Sequence, residues 1–372
     1  MPARLVAVAA ALLVTAAAVP AGAARAPGRA AVGGAQLGSR AVAVQPLTGA
    51  PGLPRRLSAA SWLIADAGTG DVLAAKDAHH RRLPASTLKV LTAVALLPRL
   101  DPEREVRVTY DDAVVDGSKV GLVPGMRYTV DTLFTSLLVV SANDAANALA
   151  DAAGGIRRSV ALMNAQARRL QAYDTVARTP SGLDAAGEST SAYDLALIMK
   201  AGLAMPAFRH YIGVTMSHVP APHHKRFQIY THNRLLPTYR GMLGGKNGYT
   251  VKAAATYVGV ERRHGHTIIV AMMHARPDFW TEAKQLLDWG FAAECHVIPV
   301  GTLVGQAEPA GASAQAPAPT GRATVVLTAR RHSEGIASWQ LAALAASAGI
   351  AVVVTARRQR RRAGRRLSLP PP

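Results

Sequence analysis

The sequence of 372 residues contains one cysteine, Cys295, so no disulfide can form within a single chain. It also contains no H-E-x-x-H motif, which excludes the zinc-peptidase helix built on that pattern. The clustered histidines, which we interpret as lying in loops, are His79, His80, His223, His224 and His232. We therefore expect no metal centre and no other cofactor.

Acidic residues are few: 23 Asp and Glu stand against 42 Lys and Arg, for a net charge of +19. Most of this excess lies at the two ends, because residues 57–298 hold 26 basic and 21 acidic side chains, or +5. A nucleic-acid-binding protein would be expected to carry a basic face on its folded domain. We therefore expect no nucleic-acid partner, while anionic polymers of the cell envelope remain compatible with the charge.

The N-terminus has the features of an export signal. Arg4 precedes an apolar run over residues 5–19, and Ala21-Gly22-Ala23 fits an A-x-A cleavage site. A transmembrane anchor is the alternative, but the run is short of the roughly 20 residues needed to span a bilayer. We predict a signal peptide over residues 1–24.

The C-terminus carries an uncharged apolar run over residues 336–356, followed by a tail, 357–372, with seven arginines. About 20 apolar residues can span a bilayer as a helix, and basic tails stay in the cytoplasm. A buried amphipathic helix is the alternative. We predict an exported protein bound to the cytoplasmic membrane by this helix, with its folded domain outside and its basic tail inside.

The region between the two ends divides by composition. Residues 25–56 and 299–335 are rich in Gly, Pro and Ala, which predicts a flexible linker on each side of one domain, 57–298. In this domain, strand-like patterns occur near both ends, and helical periodicity fills the middle. That order predicts an α+β fold, with an antiparallel sheet assembled from both ends of the domain and a helical insertion.

Ser86-Thr87-Leu88-Lys89 forms an S-x-x-K motif at the start of a helical pattern opened by Pro84. Residues three apart share a helix face, so Lys89 can reach the Ser86 hydroxyl. A lysine with a pKa lowered by burial can accept a hydroxyl proton, which would make Ser86 a nucleophile. A helix-capping serine beside a solvated lysine is the alternative.

Two further motifs follow in the chain. Ser141-Ala142-Asn143 begins another helical pattern, where either residue could be an N-cap, or could relay protons and bind a carbonyl. Lys246-Asn247-Gly248 is a turn signature as well as a possible carboxylate-binding strand. In the second interpretation the N–H of Tyr249 would complete an oxyanion hole with that of Ser86.

In this order the motifs resemble those of the penicillin-recognising serine enzymes: S-x-x-K, S-x-N and K-T-G. Flanking residues narrow the resemblance to the low-molecular-weight D-alanyl-D-alanine carboxypeptidases, over roughly residues 57–298. The segments that carry it are 82–89, 123–125, 138–146, 181–184, 189–190 and 246–250. One position departs from the pattern, because Asn247 replaces the usual threonine. An amide can also donate to a carboxylate, so this departure affects selectivity between substrates and β-lactams more than catalysis.

The resemblance implies a β-lactamase/transpeptidase-like fold, in which an antiparallel sheet flanked by helices stands beside an all-helical subdomain. It implies that Ser86 is acylated by a peptidoglycan stem peptide ending in D-Ala-D-Ala, that D-alanine leaves, and that water hydrolyses the acyl-enzyme. β-Lactams would bind as inhibitors. The implied roles are nucleophile for Ser86, general base for Lys89, proton relay for Ser141, and substrate binding for Asn143, Lys246, Asn247, Gly248 and Tyr249.

Rival functions on the same fold are an endopeptidase or transpeptidase, a β-lactamase, and an inactive envelope-binding homologue. Class A β-lactamases use a glutamate to activate the deacylating water. Glu188 is the only glutamate between Ser141 and Lys246, and its setting does not look like a water-binding helix turn. The altered third motif is what favours an inactive homologue.

Overall fold

The computed structural model describes residues 31–307. The strands are β1 (Val42–Pro46), β2 (Ser61–Asp66), β3 (Asp71–Lys76), β4 (Glu105–Arg107), β5 (Arg127–Thr129), β6 (Met216–Ala221), β7 (Lys225–Tyr230), β8 (Met242–Thr250), β9 (Ala254–Arg263), β10 (His266–Ala275), β11 (Val297–Ile298) and β12 (Gly301–Thr302). The α-helices are α1 (Lys89–Leu96), α2 (Tyr110–Ala113), α3 (Val130–Val139), α4 (Asn143–Ala152), α5 (Ile156–Arg169), α6 (Ala192–Leu203), α7 (Pro206–Ile212) and α8 (Trp280–Ala293).

The main sheet is antiparallel and has the order β11-β1-β3-β2-β10-β9-β8, with β12 paired to β3. Its strands come from both ends of the domain, and helices α1–α7 are inserted between β3 and β8. The predicted α+β fold with an antiparallel sheet and a helical insertion is therefore confirmed.

The sheet is covered on both faces, which explains why β2 is buried along its whole length. Successive side chains of a strand point to opposite faces. Leu63 accordingly packs in the core shared with α1 and α3–α6, whereas Trp62 and Ile64 pack in a second core with α8. The first core extends into the all-helical region, so one apolar interior joins that region to the sheet.

The chain just before β2 is not a linker, which corrects our prediction for the part of 25–56 that the structure describes. β1 pairs with β3, and Leu47 N donates to His296 O at 2.9 Å. The indole of Trp289 donates to Pro51 O at 3.0 Å. The Gly/Pro-rich composition misled us because β1 is only half-buried and has no clean alternation of apolar and polar residues.

The predicted linker 299–335 is corrected in the same way at its start. Gly301 pairs with Val72 through β12, and Val300 and Leu303 are buried in the first core. The folded domain therefore reaches beyond residue 298 by several residues. Within residues 31–307, no helix combines the length and the apolarity that a bilayer crossing requires. The predicted signal peptide (1–24), membrane helix (336–356) and basic tail (357–372) lie outside the described residues.

Candidate active site

The nucleophile candidate lies on a strained turn. A 3₁₀ helix, Ala85–Leu88, leads directly into α1 at Lys89. Ala85 has φ +47°, a left-handed conformation that costs a non-glycine residue about 1–3 kcal/mol. Two hydrogen bonds hold the turn in place: the Pro84 carbonyl oxygen accepts from Thr87 Oγ1 at 2.6 Å and from Thr256 Oγ1 at 2.8 Å. Such strain persists only where the surrounding structure over-determines it.

Two glycines allow other segments to reach this turn. A Cβ on Gly182 (φ +80°) would lie 2.0 Å from the Ala85 carbonyl oxygen. A Cβ on Gly248 of β8 would lie 2.5 Å from the backbone nitrogen of Ser86. The resemblance assigned Gly248 to substrate binding, but the close approach of the Ser86 turn already requires a glycine at this position.

Lys89 is fully buried and bonds to three acceptors. Its Nζ lies 3.0 Å from Ser86 Oγ, 2.6 Å from Asn143 Oδ1 and 2.6 Å from the Ser181 carbonyl oxygen. An ammonium would donate all three bonds. A neutral amine would donate to the amide and the carbonyl, and its lone pair would accept the Ser86 hydroxyl proton. The geometry therefore suits both protonation states of a base.

The electrostatics favour the neutral amine. Burial lowers the pKa of Lys89 well below its usual value, and the positive charge of Lys246 lowers it further. The carboxylates of Glu188 and Asp144 act in the opposite direction and raise this pKa. A lysine with a depressed pKa can accept a proton near neutral pH.

Asn143 is the first residue of α4 and orients Lys89. Its Oδ1 accepts from Lys89, and its Nδ2 donates to Asp116 O at 2.6 Å. Ser141 has φ +62° and is buried. The N-cap of α4 is Ala142, without a side-chain cap bond, so the capping alternative for these two residues is wrong.

Lys246 lies on β8 and is also fully buried. Its Nζ donates to the Asn247 carbonyl oxygen at 2.6 Å, and burial lowers its pKa to about 7. The segment 246–250 is a strand paired with β9, so the turn alternative for Lys246-Asn247-Gly248 is wrong.

The next three residues of β8 border an open cleft of about 410 Å³. The residues that line it are Thr231, His232, Arg234, Asn247, Gly248, Tyr249, Ala255, Pro277, Phe279 and Trp280. The structure thus gathers Ser86, Lys89 and Asn143 into one hydrogen-bonded group, and brings Gly248 against Ser86.

Sequence reasoning missed two kinds of residue here. The Ser181 and Asp116 groups that organise Lys89 and Asn143 are backbone carbonyls, which no side-chain motif can reveal. His232, which we had interpreted only as a loop histidine, and Arg234, which belongs to no motif, both line the cleft. Burial and the Lys246 charge lower the pKa of His232, which ties this histidine to the site.

Comparisons with known proteins cover the part of the chain that contains this site. The family model described as D-alanyl-D-alanine carboxypeptidase (peptidase family S11) matches residues 48–277. This is more than half of the chain. The chain belongs to this family.

Individual relatives agree. A D-alanyl-D-alanine carboxypeptidase of Mycobacterium tuberculosis is 41% identical over 241 residues, which cover 63% of this chain and 82% of the relative. One from Bacillus subtilis is 31% identical over 242 residues, which cover 63% of this chain and 62% of the relative. This chain therefore spans less than two thirds of the B. subtilis protein.

Solved structures agree as well. The crystal structure of a D-alanyl-D-alanine carboxypeptidase from M. tuberculosis aligns with a TM-score of 0.66 at 39% identity, covering 70% of this chain and 100% of that one. The Streptomyces K15 DD-transpeptidase aligns with a TM-score of 0.62 at 26% identity, covering 65% and 100%. The predicted D-alanyl-D-alanine carboxypeptidase, a serine hydrolase with a β-lactamase/transpeptidase-like fold, is confirmed.

Three further groups named in the sequence analysis form contacts of their own or remain exposed. Glu188 directs one carboxylate oxygen at the backbone of Arg178 and Thr179. Of the clustered histidines, His79 pairs with Asp174 at 2.7 Å and His80 with Asp77 at 3.2 Å. Cys295 is exposed and free.

Proposed function

We propose that this chain removes the terminal D-alanine from peptidoglycan stem pentapeptides through an acyl-enzyme on Ser86. The observation that carries the proposal is the bond of 3.0 Å between Lys89 Nζ and Ser86 Oγ, made by a lysine whose pKa is lowered by burial and then by the Lys246 charge. In this mechanism neutral Lys89 takes the Ser86 proton as Oγ attacks the carbonyl carbon of the penultimate D-alanine.

The tetrahedral intermediate then needs donors for its oxyanion. The N–H groups of Ser86 and Tyr249 are our candidates, since Gly248 brings β8 against the nucleophile turn. When the peptide C–N bond breaks, the leaving amine takes a proton, which the buried Ser141 hydroxyl would relay from Lys89. D-Alanine departs, leaving an ester between Ser86 and the tetrapeptide. Water cleaves this ester, and the enzyme is restored.

Substrate binding is assigned to Lys246 and the β8 residues that follow it. Burial lowers the pKa of Lys246 to about 7, so its side chain is near half-protonated at neutral pH. A substrate carboxylate near Lys246 would favour its ammonium form. β8 is the last strand in the order of the main sheet, and Tyr249 is 57% exposed at its far end. An extended stem peptide can add along such an edge. β-Lactams would acylate the same serine.

The decisive experiment measures two readouts on the wild type and on Ser86→Ala. The wild type should release D-alanine from a pentapeptide and become covalently labelled by a fluorescent penicillin. Ser86→Ala should do neither while keeping its melting temperature. Labelling of Ser86→Ala at the wild-type rate would refute the nucleophile assignment.

The rival activities give different products. Labelling without D-alanine release would indicate an inactive binding homologue, and turnover of nitrocefin would indicate a β-lactamase. Transfer of the acyl group to an added amine acceptor would indicate a transpeptidase. Cleavage of cross-linked dimers would indicate an endopeptidase.

We also propose that the enzyme is exported and held at the cytoplasmic membrane, with its domain outside. The support is the sequence at both ends: a pattern typical of an export signal, an uncharged run over 336–356 and the arginines that follow it. A tag placed after Arg366 should resist external protease in intact cells, whereas the catalytic domain should be digested. Digestion of the tag would overturn this topology.

A further inference from the structure

Glu188 is a buried carboxylate that the proposed mechanism does not use. It lies in the loop before α6 and is only 4% exposed. Its Oε1 accepts hydrogen bonds from Arg178 N at 3.0 Å, Thr179 N at 3.0 Å and Thr179 Oγ1 at 3.2 Å. Its Oε2 is buried and has no hydrogen-bond partner among residues 31–307.

A short chain of bonds connects Glu188 to the proposed base. Thr179 Oγ1, which donates to Glu188, also accepts from Gly182 N at 2.9 Å. The intervening Ser181 presents its carbonyl oxygen to Lys89 Nζ at 2.6 Å. The Glu188 carboxylate therefore fixes the loop that supplies one of the three acceptors of Lys89.

If Glu188 only held this loop, a charged side chain would not be needed. A glutamine oxygen can accept the same backbone N–H bonds without burying a charge. Burying a carboxylate with one oxygen unpartnered costs free energy. Burial indeed raises the pKa of Glu188, although the backbone N–H groups of Arg178 and Thr179 lower it again. Holding the loop therefore does not explain why this side chain is charged.

The positive charge that Lys89 gains when it accepts a proton provides a reason for the carboxylate. Lys89 and Lys246 repel each other, and Glu188 is one of two carboxylates whose charge favours the ammonium form of Lys89. The other is Asp144 on α4, which binds the backbone N–H groups of residues 120–122. The Asp184 charge acts on Glu188 itself. Without these carboxylates the proton taken from Ser86 would have a less favourable place on Lys89.

We infer that Glu188 is a positioning residue for Lys89: through the 178–182 loop it aims the Ser181 carbonyl at the lysine, and its charge favours the ammonium form that Lys89 takes on accepting the Ser86 proton. This inference rests on the proposed function, since it assigns Lys89 the role of base. It is tested on the full chain by separating the geometric contribution of Glu188 from its charge.

Glu188→Gln isolates the charge, because the amide oxygen keeps the bonds to the loop. The acidic limb of the pH profile of penicillin acylation should move to lower pH by about half a unit, since loss of a nearby negative charge lowers the pKa of a lysine. The acylation rate on the plateau should change less than about threefold. The matched control is Glu282→Gln, a buried carboxylate that accepts Ser58 N at 2.7 Å and is not among the charges that act on Lys89. Its profile should coincide with that of the wild type.

Glu188→Ala isolates the geometry. It should lower the acylation rate on the plateau about tenfold or more, with little change in the half-saturating penicillin concentration, because the Ser181 carbonyl is no longer held. A wild-type pH profile in Glu188→Gln would overturn the inference, and so would a shift of the same size in Glu282→Gln. If Glu188→Ala does not fold, the profile of Glu188→Gln decides alone. A wild type that neither binds penicillin covalently nor releases D-alanine would instead refute the proposed function.

Discussion

The site has two sides, which we call the helical wall, where Lys89 begins α1, and the strand wall, where Lys246 lies on β8. Both lysines are fully buried, but their hydrogen bonds differ. Lys89, on the helical wall, has three acceptors around its Nζ, one of them the nucleophile candidate. Lys246, on the strand wall, donates to one carbonyl of its own strand. A lysine enclosed by acceptors can exchange its proton with one fixed partner. Lys246 immediately precedes the β8 residues that line the cleft, so its charge can act on a carboxylate bound there.

The largest effect is expected from removing the enclosed lysine. Lys89→Met should lower the rate of penicillin acylation by about 10³- to 10⁴-fold, the upper part of the roughly 10²- to 10⁴-fold range for general acid–base catalysis. The measurement is stopped-flow labelling, with the melting temperature as a folding control. A rate within tenfold of the wild type would show that Ser86 is activated by another group.

The second-largest effect tests whether the charges of Lys246 and Lys89 are electrostatically coupled. Lys246→Gln should lower kcat/KM for the pentapeptide by about 10²-fold through lost carboxylate binding. It should also move the acidic limb of the acylation profile to higher pH. The sign follows because burial and then the Lys246 charge lower the pKa of Lys89, so removing that charge raises it. An unmoved limb would mean that the two lysines titrate independently.

A smaller effect is expected where the walls touch. Gly248→Ala places a Cβ 2.5 Å from Ser86 N, so β8 must retreat and the oxyanion donors must separate. We expect acylation to slow by about 10- to 50-fold, since small misplacements of reacting groups are costly. Gly52→Ala is the matched control, because a Cβ there meets nothing within 4 Å. Equal rates for the two variants would contradict the close approach.

The smallest effect concerns the departure from the family's third motif. Asn247→Thr exchanges an amide donor for a hydroxyl on the border of the cleft. We expect less than a fivefold change in D-alanine release and a measurable change in the ratio of rates for pentapeptide and penicillin. Comparing the two second-order rate constants checks this. If neither constant changes, the amide does all that a threonine would.

Much of this site could be predicted because its parts are local. The spacing of Ser86 and Lys89 places both on one helix face, and the motif containing Lys246 falls on a strand. The Ser181 carbonyl and the close contact of Gly248 with Ser86 could not be predicted, since both depend on segments remote in sequence. β1 was mistaken for a linker because it gains its stability from pairing with β3 and not from its own pattern.

The position of β1 and β12 has a mechanical consequence. Both pair with β3, whereas β8 forms the opposite edge of the sheet, four strands away from β3. At about 4.8 Å per strand this is roughly 19 Å. Tension applied to either end of the domain would peel these short outer strands first, before any load reached β8. Unpairing at that margin would leave the pairing of β8 with β9 and the contact of Gly248 with Ser86 in place.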